Sequence, residues 1–300
     1  MIDRKKTILI TGASGMLGLK LINVLKKRYK VIALYHSNGQ HINDIMKLAT
    51  DIGDAKTVTA LKKQIEKIDV VIHCAAVTEV NKCELNPALC RKVNITGAKN
   101  IRDLASFYKA KFIYISTPMI FSGERGNYRE NSETKPLNLY GQTKLKAEKM
   151  VVGYSNTLII RSNPIGIRPP GAHPSFIQWF VERARKNESF TLFSDVVINP
   201  ISTQTLAAIL VKIIGYFKPG IIHLGSHDRV NKADIWRYIV KNFPKFSVPV
   251  TSLSVTKTEA AKIADRPKEM WLNVAKAEKL GYRVSSWKRE VSLVLRDLKI

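Results

Sequence analysis

The stretch Thr7 to Gly18, TILITGASGMLG, limits what this chain can fold into more than any other. Thr7, Ile8, Leu9 and Ile10 form an apolar and β-branched run with no polar alternation, the pattern of a strand covered on both faces of a parallel sheet. Gly12, Gly15 and Gly18 follow with G-x-x-G-x-x-G spacing, and Leu17, Leu21, Val24 and Leu25 then recur at helical intervals. Strand, tight turn and helix in that order make a cradle for a pyrophosphate. The glycines let the backbone turn and come close to the ligand, and the free amides at the helix N-terminus face it. Ser14, Gly15, Met16 and Leu17 occupy the turn and the first helical residues, so they join Gly12 as candidate cofactor contacts. A glycine triplet alone also marks an ordinary tight turn; its place after an N-terminal strand favours the nucleotide reading.

Composition narrows the classes that remain. With 49 Lys+Arg against 24 Asp+Glu, the formal charge is +25, which makes nucleic acid the first suspect. The charge is dispersed, however, and its densest runs, Arg4 to Lys6 and Lys26 to Lys30, are short. A solvated basic face that attracts phosphorylated small molecules is the preferred reading, and no nucleic-acid partner is expected. No run reaches the roughly 18 apolar residues of a membrane span. The opening MIDRKKTILI imitates a signal peptide but is interrupted by Thr11 to Gly15 and by Lys20, so a cytoplasmic protein is expected. Cys74, Cys83 and Cys90 form no CxxC, and we read them as buried or inert thiols rather than a paired framework. No His/Cys/Asp spacing suggests a metal site.

At 300 residues the chain is long enough for one large or two modest domains. Lys30 to Tyr35 (KVIALY) reads as the second strand, and it runs out in Tyr35, His36, Ser37 and Asn38. An acid at this point would bind the adenosine ribose and reject a 2′-phosphate; none is present, so NADP(H) is expected over NAD(H), with His36 and Ser37 beside the extra phosphate. Ala55 to Lys67 repeats apolar residues as an amphipathic helix capped by Asp54, and Asp69 to His73 is another buried strand. Cys74, Ala75 and Ala76 at its carboxyl end leave room for a ligand or serve close packing. Asn86 and Pro87 open a long helix through Val93, Ile101, Leu104 and Phe107, and Lys111 to Ser116 (KFIYIS) is a fifth strand. Alternating strands and helices specify an α/β fold, a doubly wound Rossmann-type parallel sheet whose ligands sit at the carboxyl edge.

That edge is where the chemistry is expected. The fifth strand delivers Ser116 and Thr117, and Tyr140-Gly-Gln-Thr-Lys144 begins a helix 23 residues further on. Residues four apart share a helical face, so Tyr140 and Lys144 project together. A tyrosine with a pKa of about 10 is a poor acid near neutrality, but an adjacent ammonium stabilises its phenolate. The pair alone is common on exposed helices. Downstream of a nucleotide-binding turn and a Thr-bearing strand it points to acid–base catalysis.

With these motifs the chain resembles the extended short-chain dehydrogenase/reductases, and among them the dTDP-4-dehydrorhamnose reductases. The resemblance runs through AAVTEVNKCE (Ala75 to Glu84), Val93-Asn94, Ser116-Thr117, PLNLYGQTKLKAE (Pro136 to Glu148), DVVINP (Asp195 to Pro200) and Arg266-Pro267. It implies that Gly12, Gly15 and Gly18 form the pyrophosphate turn, that Asp51-Ile52 lies by the adenine, and that Ala75, Ala76 and Val77 flank the cofactor. It also implies that Asn94 supports the active-site backbone, that Thr117, Tyr140 and Lys144 are catalytic, with Tyr140 and Lys144 also touching the cofactor, and that a homodimer forms on the helices near Val93 and Leu145. The implied reaction is NAD(P)H-dependent reduction of a nucleotide-linked 4-keto-6-deoxy sugar. A nucleotide-sugar epimerase on the same scaffold and a non-catalytic NADP-binding regulatory subunit are the alternatives.

Two departures bear on the substrate. Pro118 and Met119 follow the threonine where these reductases carry Asp and an aromatic residue. Arg161-Ser-Asn-Pro-Ile-Gly166 is nearer to the NPxG segment of nucleotide-sugar epimerases, which makes Asn163 a substrate-side candidate. Arg266, in a loop before Trp271, could clamp a diphosphate bidentately or form a surface salt bridge. We expect a dinucleotide-binding domain over 1–168 and a smaller substrate-binding part over 169–300, with a segment near 201–225 returning to the main sheet. His223 in that segment reads as a packed histidine.

Overall fold

The structure, a computed structural model, describes residues 6–37, 39, 44–254 and 263–300. Arg4, Lys5, Asn38 and the opening residues read against a signal peptide lie outside them. The chain divides into two compact units.

Unit 1 comprises Met1–Thr117, Leu139–Arg161 and Ala207–Ile222. Its strands are β1 (Thr7–Thr11), β2 (Lys30–Tyr35), β3 (Met46–Ala49), β4 (Val70–His73), β5 (Lys111–Ser116) and β6 (Thr157–Ile165). They lie side by side in the order 3-2-1-4-5-6 with parallel registers. This is the dinucleotide-binding order, and it places the reversal of strand order between β1 and β4. Burial explains the apolar runs: Leu9, Ile32, Val71, Phe112 and Ile159 pack from the sheet into one core with Val58, Ile101, Leu104, Ala147 and Val151 from the helices.

The helices of this unit follow the sequence pattern with instructive differences. Met16–Leu25 (α1) follows the glycine turn. Ala55–Ala60 (α2) starts on Asp54, whose carboxylate accepts the Lys56 amide, but it tightens into a 3-10 turn at Leu61–Lys63 and stops short of Lys67. Three β-branched residues in a row, Thr57, Val58 and Thr59, weaken it as a helix. The long helix expected after Asn86 is present in three parts. Pro87–Arg91 (α4) follows Val80–Leu85 (α3), then come a π-turn at Lys92–Gly97 and Ala98–Phe107 (α5). Asn86 caps α4 by accepting the Leu89 amide. Leu139–Val151 (α6) carries the Tyr-x-x-x-Lys pair.

Unit 2 comprises Pro118–Asn138, Ser162–Leu206 and His223–Ile300. It is built on helices Phe176–Arg185 (α7) and Lys232–Asn242 (α9), on the last described helix, Trp287–Asp297, and on short strands. Phe190–Phe193 (β7) pairs with Val250–Leu253 (β12), Val197–Ile198 (β8) with Val230–Asn231 (β11), and Pro200–Ser202 (β9) with the far end of β6. Aromatic rings fill the core, with Phe190 stacked 5.4 Å from Phe180 and edge-on 5.0 Å from Trp236. Thr203–Gly215 (α8) leads to Gly220–Leu224 (β10), the edge strand beside β6. His223 is buried; its ring bonds the Tyr128 carbonyl and its amide donates to Glu130.

The division differs from the boundary expected at residue 168. Pro118–Asn138 and residues 162–168 cluster with unit 2, and the returning segment is Ala207–Ile222. Proline at 118 has no amide to continue the β5 ladder, and the chain leaves the sheet there. Further on it is fastened within unit 2, where Tyr128 donates to the Trp271 carbonyl and accepts from the Asn273 amide, and Gly123 accepts from Glu269. Among the described residues no helix is long and apolar enough to cross a membrane.

Candidate active site

The residues expected to meet a nucleotide lie at the carboxyl ends of β1 and β4. Gly12 has φ +63°, a left-handed conformation, and a Cβ there would stand 2.7 Å from the Ala75 nitrogen. A Cβ on Gly18 would run into the Gly12 carbonyl, so the third glycine serves the packing of α1 on the turn. Gly15 donates to the Gly12 carbonyl at 2.9 Å and is the N-cap of α1. No side chain caps that helix and no acid lies in its first turn, which leaves its leading amides, beside Ser14, Met16 and Leu17, for a ligand. His36 and Ser37 stand exposed beyond β2.

Asp51 accepts from Lys92 at 2.6 Å and from the Gly53 amide at 2.9 Å. The Lys92 hydrogen bond holds this carboxyl below its ordinary range against the opposing effect of burial. Ile52 is buried beside it, and its carbonyl accepts from Asn100. Ala75, Ala76 and Val77 are half-buried where the chain leaves β4. Asn94, in the π-turn, grips this segment: its Oδ1 accepts the Val77 amide at 2.8 Å and its Nδ2 donates to the Val77 carbonyl at 3.1 Å. The same Nδ2 reaches Thr143 of α6 and the sulfur of Cys90.

Cys90 corrects one expectation. It is disulfide-bonded to Cys83, while Cys74 is free. The break between α3 and α4 at Asn86-Pro87 folds the seven-residue separation back, so that the two Cα atoms lie 5.1 Å apart.

The candidate catalytic residues lie where α6 meets the ends of β4 and β5. Glu84 receives the Leu139 amide at 2.7 Å and so anchors the start of the helix. Tyr140 and Lys144 follow one turn apart, both buried, and Thr117 is buried just past β5. Lys144 is 3% exposed; its Nζ donates to the Ile115 carbonyl at 2.8 Å and lies 4.1 Å from the centre of the Tyr114 ring. Burial brings its pKa down to about 7, with Glu148 and then Cys74 opposing the fall. The neighbours are uncharged near neutrality. Burial pushes the Cys74 thiol up to about 12, holds His73 down at about 3 with Lys144 adding to the effect, and raises the Tyr114 phenol well above its usual value. His73 stacks on Tyr114 and its Nδ1 lies 2.9 Å from the Thr11 hydroxyl, which accepts the Ala75 amide.

Glu148 and Arg161 were given no role from sequence. The buried Glu148 carboxylate accepts from Arg161 Nη2 at 2.8 Å and from the Ser116 hydroxyl. The available signal was its place one turn beyond Lys144.

Asn163 and Arg266 belong to unit 2. Asn163 Nδ2 donates to the Met270 carbonyl at 3.0 Å, and Arg266 Nη1 donates to the Ala264 carbonyl at 3.0 Å. Lys232, absent from the sequence reading, has its Nζ 5.4 Å from the Phe176 ring centre and 5.3 Å from that of Phe193. Burial, and then the nearby Arg266, lower its pKa to about 8. A lysine directly after the N-cap opposes the helix dipole, and this was the readable sign that the position answers to something other than helix stability. Among the described residues no group of His, Cys, Asp and Glu could hold a metal ion.

The family model described as RmlD substrate binding domain matches residues 6–300. The probable low-salt glycan biosynthesis reductase Agl14 of Haloferax volcanii is 28% identical over 90% of this chain and 90% of its own length. A dTDP-4-dehydrorhamnose reductase of Mycolicibacterium smegmatis is 30% identical over 76% of this chain and 66% of its own. The crystal structure of dTDP-4-dehydrorhamnose reductase from Bacillus anthracis in complex with NADP superposes with a TM-score of 0.85 at 24% identity, over 98% of this chain and 99% of that one, and shares the fold.

Proposed function

We propose, because the chain belongs to the RmlD substrate binding domain family, that it is an NADPH-dependent reductase of a nucleotide-linked 4-keto-6-deoxy sugar. The observation that carries this reading is Lys144, a buried lysine titrating near neutrality, one turn from Tyr140 on a helix tied to the strand end that delivers Thr117. NADPH fits the cradle at Gly12 and the uncapped start of α1, and when bound it supplies the hydride. Tyr140 gives its hydroxyl proton to the carbonyl oxygen as the C4 carbon gains that hydride, and the product is the alcohol. Lys144 stabilises the phenolate left behind, and Thr117 donates a hydrogen bond to the same oxygen.

Ser14, Gly15, Met16 and Leu17 are assigned to the pyrophosphate, Asp51 and Ile52 to the adenine side, and Ala75, Ala76, Val77 and Asn94 to the wall of the cofactor site. His36 and Ser37, with no acid next to them in sequence, suit a 2′-phosphate, in keeping with the NADP held by the Bacillus anthracis relative. Arg266 and Lys232 are assigned to the substrate diphosphate and Asn163 to the sugar side. A cytoplasmic homodimer that takes no nucleic acid completes the proposal.

Pro118 and Met119 argue against the dehydratase reaction run on related scaffolds, because neither side chain can act as the acid or base that elimination needs. The test is NADPH consumption with dTDP-, UDP- and GDP-linked 4-keto-6-deoxy sugars. We expect turnover with at least one of them, NADPH bound at least as tightly as NADH, and no dehydration of dTDP-glucose or GDP-mannose. Dehydration at enzymatic rates would defeat the assignment, and tightly retained NAD+ with no net consumption would mark an epimerase.

A further inference from the structure

We propose that Glu148, paired with Arg161, is a positioning residue for the reduction, holding the Thr117 end of β5 against α6 and acting by its charge on Lys144 one turn away. The inference rests on the reductase reading for its kinetic consequences and on geometry for its substance. Glu148 lies one helical turn beyond Lys144 and two beyond Tyr140, on the same face of α6. Its side chain and that of Arg161 are each 4% exposed, and the guanidinium grips the carboxylate through Nη2 at 2.8 Å and through Nε at 3.1 and 3.2 Å. Ser116, the register partner of Arg161 across β5 and β6, donates its hydroxyl to the same carboxylate.

Two consecutive residues before Thr117 are therefore fastened to one helix, Ile115 through Lys144 and Ser116 through Glu148. A buried ion pair of this kind is seldom a gain in stability over an apolar pair, so its value lies in placement. Around Lys144 stand His73 and Cys74 at the end of β4, Tyr114 on β5, and Tyr140 and Glu148 one turn to either side on its own helix. His73, Cys74 and Tyr114 are all neutral near pH 7. Glu148 is the carboxylate in this set, and it favours the charged form of Lys144 against burial.

The test is Glu148→Gln in the full chain. Lysine labelled with 13C and 15N is titrated by NMR, the Lys144 signal being the one missing from Lys144→Met. We expect the Lys144 midpoint to fall by about one pH unit. In the reductase assay kcat should drop about tenfold with the KM for NADPH unchanged, and its decline toward high pH should begin at lower pH than in the parent. Glu148→Asp should restore both. If Glu148→Gln does not fold, the double variant Glu148→Gln/Arg161→Gln removes both charges and should still show a downward, smaller shift. A Lys144 midpoint equal to the parent's in the folded variant overturns the proposal, whereas a parent that turns over no keto sugar contradicts the reductase reading and leaves the NMR result to stand by itself.

Discussion

Unit 1 and unit 2 hold their candidate functional residues in different ways. In unit 1 they are fixed at the carboxyl edge of a parallel sheet: Asn94 by two bonds to the Val77 backbone, Lys144 by the Ile115 carbonyl, and Ser116 by the buried Glu148 carboxylate. In unit 2 the cations lean on local or aromatic supports, Arg266 on a carbonyl two residues back and Lys232 on two phenylalanine rings. The first arrangement suits a fixed reaction, because acid–base geometry tolerates little error. The second suits recognition that changes with the substrate, since strands of two to four residues and a ring-packed core can be rebuilt without disturbing a sheet. Substitutions in unit 1 should accordingly act on kcat and those in unit 2 on KM.

The largest expected effect is at Tyr140. Tyr140→Phe should lower kcat by about 10² to 10⁴ with NADPH affinity nearly intact, as seen by steady-state rates and a cofactor titration. Unchanged turnover would remove Tyr140 from the mechanism. Next come the unit 2 cations. Lys232→Met or Arg266→Met should raise the KM for the nucleotide sugar by about 10- to 100-fold, the value of a charge-assisted hydrogen bond, and leave the NADPH dissociation constant alone. A change in kcat of that size instead would erase the contrast between the units.

A third effect is on stability against pH, not on catalysis. His73 is held at about 3 in the fold against an ordinary 6.5, and its Nε2 has no hydrogen-bond partner among the described residues. The unfolded chain therefore binds the extra proton first, and stability is lost as pH falls from 6.5 toward 3. His73→Leu should flatten the fall of Tm with pH across that window, and an unchanged slope would show that other groups govern acid unfolding.

Much of unit 1 was legible because its constraints are local. Lys30–Tyr35 and Lys111–Ser116 have the limits read from sequence, since strands buried on both faces must be apolar throughout. Asp54 and Asn86 cap helices as expected, since capping involves neighbours in sequence. What escaped reading depends on residues far apart. The Cys83–Cys90 bridge needs the bend at Asn86-Pro87, the Glu148–Arg161–Ser116 cluster needs α6 laid on β5 and β6, and the passage of Pro118–Asn138 into unit 2 depends on partners at Glu269 to Asn273. Lys232 escaped because nothing beside it in sequence announces the rings of Phe176 and Phe193.

In the proposed reaction a hydride reaches C4 of a nucleotide-linked keto sugar while this chain supplies the proton. The measurement follows deuterium from NADPH carrying deuterium at both nicotinamide C4 positions, incubated with the protein and a dTDP-linked 4-keto-6-deoxy hexose, with the sugar product read by NMR and mass. We expect one deuterium at sugar C4 for each labelled NADPH oxidised, with the carbonyl replaced by a hydroxyl. A sugar that keeps its carbonyl, or one altered in configuration with no NADPH consumed, would contradict it.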